Sequence, residues 1–282
     1  MKKILLLASL LGNLLTAEDI LHTNKDIENK VVSFIESDIP DKNSVISVKA
    51  AGSFLIADGW YGVSTVIEKV GGEIRDVFLS NGKYMAQNIV NIENGKDYGL
   101  AAKEFLSKKL DNSFYSKENL IYGKADAKNR IVVFSNPLCP HCLNYIEELK
   151  KYISHYSSLD VCVYYYPTPL NIFPSGDGLI KEAERAKIVL RDKEADWKLY
   201  HALFTDIKLY ELASGGKIDV VIKKVFGSFD AEAGQKEAEA VLATNNLKIE
   251  ALEVKGTPSV YINGVADIGF KKVFKLHEEQ GR

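Results

Sequence analysis

Three cysteines in 282 residues are too few to frame a disulfide-stapled scaffold. No apolar run reaches the roughly 20 residues a membrane-spanning helix requires. Basic residues are not in excess: 36 Lys and Arg stand against 38 Asp and Glu, which gives no charged face of the kind that holds nucleic acid. There is no second CxxC and no HxxxH, so one chain does not supply the four ligands of a structural zinc site, although a site bridging two chains stays open. Gly71-Gly72 and Gly215-Gly216 lack the flanks of a phosphate loop and read as turns. What is present is a 46% hydrophobic chain, long enough to bury a sizeable core and to hold more than one domain.

Two of the three cysteines fall in the most informative stretch, Phe134 to Ile153. A buried-strand run, Ile131-Val132-Val133-Phe134, passes through Asn136 and Pro137 into Cys139-Pro140-His141-Cys142, and an amphipathic helix follows at once. Pro140 suits the first helical turn, where its missing N–H costs nothing. The unpaired N–H groups and the macrodipole of a helix start stabilise a negative charge, and a thiolate is such a charge. Cys142, Ile146, Leu149 and Ile153 recur at spacings of four, three and four, so Cys142 heads the core-facing stripe. Cys139 is expected to be the more exposed sulfur, one turn from its partner.

Lys2 and Lys3 precede an apolar run from Ile4 to Leu15, and Ala17 offers a small residue before Glu18 and Asp19. This is the order of a secretory signal peptide over residues 1–17, with a retained membrane anchor as the alternative. Its removal leaves 34 basic against 38 acidic residues. In an oxidising compartment a CxxC pair suits reversible redox work. A structural disulfide is a poor use of the pair, because a two-residue loop constrains little of the unfolded chain.

Residues 20–39 carry a helical pattern closed by Pro40. Short strand runs follow at 45–48, 53–57 and 63–70, and Ile74 to Ser80 meets Asn81-Gly82, a hairpin signal, returning as Lys83 to Val90. A helix from Asp97 to about Leu110 and polar residues 117–129 read as a linker. Strand 131–134, helix 138–155 and strand 160–166 make a βαβ unit with parallel strands. Residues 178–245 are helical, an insertion before a last strand at 253–262, the Asn263-Gly264 turn and a short helix from Phe270. Cys162 lies mid-strand and reads as a buried small residue. His22, His155, His201 and His277 show no pairing of the metal or base kind; His201 belongs to a helical core pattern with Trp197 and Phe204.

Phe134, Pro137 and Cys139-Pro-His-Cys142, the insertion carrying Trp197, His201, Leu203 and Phe204, and Val254-Lys-Gly-Thr-Pro258 with Val260-Tyr-Ile-Asn-Gly264 together resemble the periplasmic thiol:disulfide interchange proteins of the Dsb group. Residues 20–120 look like the dimerisation domain and linker helix of the DsbC/DsbG branch, whereas Pro-His between the cysteines looks like DsbA. The resemblance implies an α+β chain: signal peptide 1–17; a small antiparallel-sheet, cystatin-like dimerisation domain at 18–96; a linker helix and linker at 97–129; and a thioredoxin-like α/β domain at 130–282 with a helical insertion about 175–246. It also implies that Cys139 is the nucleophile, Cys142 the resolving thiol and partner in the redox-active disulfide, and His141, beside Pro140, the acidity-tuning residue. Thr257 and Pro258 become the substrate loop, with Pro258 cis. No cofactor or metal is implied.

A helix-start thiolate next to a partly protonated imidazole falls low in the range of about 3.5 to 7.5 found for such cysteines, which makes the disulfide a strong oxidant. The expected activity is disulfide donation to unfolded or misoxidised exported proteins by a periplasmic homodimer working with a DsbB-like or DsbD-like membrane partner. A disulfide isomerase and a dimeric chaperone-like binding module are the alternatives.

Overall fold

The structure, a computed structural model, describes residues 23–40, 44–157, 160–230 and 232–276. The expected leader and His22 and His277 lie outside the described residues. The chain divides into two compact units, one ending at Ser107 and one beginning at Lys108. Among the described residues no helix is long and apolar enough to cross a membrane.

In the first unit, Asn24 caps α1 (Lys25–Asp38) by accepting a hydrogen bond from the Ile27 N–H at 3.2 Å. Ile27, Val31 and Ile35 recur every four residues, and this stripe packs on Val48 and Val63 of a four-stranded antiparallel sheet. The sheet runs in chain order through β1 (Val45–Ala57), β2 (Trp60–Lys69), β3 (Gly72–Ser80) and β4 (Met85–Ala86). The runs expected as separate strands at 45–48 and 53–57 are one strand, whose register slips at Ala50 to Gly52 instead of breaking. A tight hairpin forms at Asp58-Gly59, where both residues have positive φ, the geometry of a type I′ turn. At Asn81-Gly82 the connection is longer, because the Asn81 side chain accepts from the Lys83 and Tyr84 N–H groups. The return strand is therefore Met85–Ala86 and not the full run to Val90. Asp97 caps α2 (Tyr98–Leu106), which packs Ala102 and Phe105 against Phe54, Val77 and Leu79.

The second unit is a five-stranded sheet flanked by helices. β6 (Asn129–Ser135), α3 (Pro140–Ile153) and β7 (Val161–Pro167) form the βαβ unit, with β6 and β7 parallel and in register from Asn129 opposite Val161. β5 (Leu120–Tyr122) lies antiparallel to β7, and β8 (Ser259–Ile262) lies antiparallel to β6 and continues into β9 (Val265–Ala266) through Asn263-Gly264. The strand order is β5-β7-β6-β8-β9. Period-two alternation sorts the central strands. Ile131, Val133, Val163 and Tyr165 face α3, whereas Val132, Phe134, Cys162, Tyr164 and Tyr166 face the other side. Cys142, Ile146, Leu149 and Ile153 are each 1% exposed or less. Burying each aliphatic side chain of that stripe contributes about 2 kcal/mol.

Between β7 and β8 the chain forms α4 (Pro174–Val189), α5 (Ala195–Thr205), α6 (Ile207–Ser214), α7 (Ile218–Phe226) and α8 (Gln235–Leu252). Three expectations need correction here. Residues 117–129 are not a free linker: Leu120–Tyr122 pair with β7, Ile121 is 1% exposed, and the Asn119 side chain donates to the Tyr165 carbonyl at 2.8 Å. Helix α5 buries Trp197, Tyr200 and Leu203, which turns His201 and Phe204 outward; the His201 ring meets Glu147 at 3.1 Å. Of the helix expected from Phe270, the described residues form a single 3-10 turn, Val273–Lys275, held by main-chain N–H donation to the buried Asp267 carboxylate, and the remainder lies outside the described residues.

Candidate active site

The end of β6 aims the two thiols. The Asn136 amide donates to the Thr168 carbonyl at 2.9 Å, its side-chain oxygen accepts from the Leu138 N–H at 3.0 Å, and its own carbonyl accepts from the Cys139 N–H at 3.0 Å. Tyr210, from α6, donates to the Leu138 carbonyl at 2.8 Å. These bonds fix the turn so that Cys139 becomes the N-cap of α3, in extended conformation, with Pro140 opening the helix. Both residues between the cysteines are exposed.

Cys139 is 5% exposed and Cys142 is sealed at 0%, so the expected asymmetry holds in direction while both sulfurs are largely covered. Both are free thiols. The Cys139 thiol reaches the Thr257 carbonyl at 3.5 Å, and the Thr257–Pro258 peptide bond is cis. The substrate-loop pair named from sequence therefore meets the CxxC stretch across the front of the sheet, with β8 entering beside β6 from Ser259.

The two thiols differ sharply in acidity. Cys139 is held down at about 5, first by the Cys142 thiol beside it and then by the Cys142 and His141 N–H groups at the helix start, with burial opposing them. Cys142 is pushed far up by burial and by its bond to Cys139, against weaker pulls from Ser135, Thr257 and the Asn136 N–H. His141 thus enters the sulfur's environment through its main-chain amide. Such a pair holds one stable, near-surface thiolate and one buried thiol in reserve, the arrangement thiol–disulfide exchange uses.

Cys139, Cys142, Thr257 and Pro258 lie together, with Pro140 and His141 at the rim. Cys162 does not join them: it is buried on the opposite face of the sheet, where burial pushes its thiol up to about 11. Sequence reasoning missed Ser135, Tyr165, Tyr200 and Tyr210. The strand alternation carried the signal for Ser135, since Ile131, Val133 and Ser135 share a face, but nothing local connects the three tyrosines to it.

No curated protein matches this sequence. Among solved structures, the catalytic domain of Proteus mirabilis ScsC is 19% identical, covering 60% of this chain and 93% of its own at a TM-score of 0.43. A periplasmic thioredoxin-like protein from Salmonella enterica serovar Typhimurium is 17% identical, over 61% of this chain and 98% of its own, at 0.42. The thiol-disulfide exchange protein alpha-DsbA2 from Wolbachia pipientis is 18% identical, over 56% and 85%, at 0.41. A thioredoxin family model matches residues 115–269, more than half the chain and nearly all of the unit that carries the cysteines. This chain belongs to the thioredoxin family.

Proposed function

We propose that the protein is a dithiol–disulfide oxidoreductase that introduces disulfides into exported proteins through Cys139 and Cys142. The observation that carries this reading is the opposed acidity of the two thiols, Cys139 at about 5 and Cys142 far above the ordinary value. A stable Cys139 thiolate favours the reduced enzyme and makes its disulfide a ready donor of oxidising equivalents. Cys139 is the nucleophile and the atom that joins substrate, Cys142 resolves the mixed disulfide, Pro140 and His141 shape the rim, and Thr257 and Pro258 offer backbone to an incoming chain.

Residues 1–17 act as a leader that delivers the protein to the periplasm, where a DsbB-like or DsbD-like membrane partner resets the pair. The first unit, with its four-stranded antiparallel sheet, serves as a DsbC/DsbG-type dimerisation domain. That separate unit is the observation that favours a second reading, a dimeric isomerase kept reduced.

Two ribonuclease assays separate these readings. Stoichiometric oxidised protein restores activity to reduced, unfolded ribonuclease if it is a donor, and Cys139→Ser does not. Recovery of scrambled ribonuclease by reduced protein, without reactivation of the reduced substrate by oxidised protein, would instead make it an isomerase.

A further inference from the structure

The buried sulfur presents a problem that the outer one does not. Exchange requires Cys142 to carry negative charge, either as it attacks the mixed disulfide or as it leaves one, yet Cys142 is fully buried and burial opposes that charge. Ser135 is placed to answer this. By strand alternation it shares the α3-facing side of β6 with Ile131 and Val133, and its hydroxyl partner Tyr200 lies in the same buried cluster as Cys142. Its hydroxyl and the neighbouring Asn136 N–H are two of the groups that favour the Cys142 anion.

The Ser135 hydroxyl is not alone. It lies 2.6 Å from the Tyr200 hydroxyl, which lies 3.1 Å from the Tyr165 hydroxyl, and Tyr165 donates back to the Ser135 carbonyl at 3.3 Å. All three residues are 2% exposed or less. A hydroxyl rotates and can donate or accept, so the order of donation along this chain reverses without displacement of any heavy atom. Burial holds both phenols well above their ordinary range, reinforced at Tyr165 by the Asp196 charge and at Tyr200 by Tyr165 and Cys142. Both therefore remain protonated donors.

Resting on the exchange reaction proposed above, we infer that Ser135 is a further catalytic residue: its hydroxyl donates to the Cys142 sulfur while that sulfur is charged. Tyr200 and Tyr165 are positioning residues that turn with it. When the disulfide opens, a substrate thiolate bonds to the Cys139 sulfur and the Cys139–Cys142 bond breaks. Its electron pair passes to Cys142, where Ser135 holds it until a proton arrives from solvent. When the disulfide closes, the Cys142 thiol gives up its proton to solvent, its sulfur bonds to Cys139, and the substrate leaves as a thiolate.

An aromatic disulfide reagent that releases a coloured thiolate separates the two steps in stopped flow. Attack by Cys139 releases one equivalent, and closure by Cys142 releases the second; Cys162, buried on the far face, stays out of both. Tyr200→Phe keeps the ring and drops the hydroxyl, and Ser135→Ala removes the donor itself. Each variant is expected to leave the first phase at the wild-type rate and to slow the second about ten-fold, the scale of one hydrogen bond to a charged group. A second phase at the wild-type rate in both variants would overturn the assignment, as would equal slowing of both phases, the mark of a merely structural role. Wild-type protein that releases no second equivalent would instead remove the exchange reading, and this inference with it.

Discussion

At Cys139, the neighbouring Cys142 thiol and the main-chain amides at the head of α3 favour the charged sulfur, and their pull outweighs its burial. Because the first of these comes from Cys142, Cys142→Ala is predicted to move the Cys139 titration upward from about 5 toward the ordinary value, read from the pH profile of alkylation; an unmoved profile would assign the acidity to the helix start alone. A stability effect follows from the same shift. Cys139 is more acidic in the folded protein than its ordinary value of 9.0, so its charge stabilises the fold fully above about pH 9, and that contribution is lost as pH falls through about 5. Cys142, shifted the other way, begins to cost stability only above pH 9. Reduced wild-type protein should therefore gain on Cys139→Ser in melting temperature between pH 5 and pH 8; a constant difference would contradict the shift. At this scale a CxxC at a helix start is a local pattern and marks the two cysteines, whereas Thr257 and Pro258 stood out only through the resemblance to the Dsb group. Tyr165, Tyr200 and Tyr210 were illegible, since each reaches the site from a distant element and each reads locally as core.

Among the elements, α3 and β6 were readable because their periodicities are long and clean. Cys142, Ile146, Leu149 and Ile153 all lie on the buried face that their spacing implies. β5 was hidden, because three residues flanked by polar neighbours leave too short an alternation to stand out from a linker. Its pairing with β7 makes Ile121 a core residue of the second unit. Ile121→Ala is predicted to lower that unit's stability by about 3 kcal/mol through loss of buried surface and the cavity left behind. A loss below about 0.5 kcal/mol, the range of a surface change, would return residues 120–122 to a linker. The α5 error has a related cause: Trp197, His201 and Phe204 sit at helical spacing, but the buried stripe is Trp197, Tyr200 and Leu203, one residue round the helix.

For the whole molecule, the sequence indicated two units and their order, and it placed the boundary too late because the second unit recruits the chain from Lys108 onward, through the Leu110 N–H bond to Gly264 and through β5. Light scattering should return the mass of a dimer for the full chain and of a monomer for residues 108–282; a monomeric full chain would remove the dimerisation role from the first unit and much of the isomerase case. Protein trapped by acid after export should carry Cys139 and Cys142 oxidised, and a reduced pair would point to isomerase or reductase traffic. The exchange reading, and the oxidised pair expected after export, depend on one sulfur being an anion at neutral pH. The direct measurement is thiolate absorbance against pH on the reduced wild-type protein, with Cys139→Ser as the blank. The thiolate signal should be lost on acidification with a midpoint near 5, and a midpoint near the ordinary thiol value of 9.0 would contradict the account.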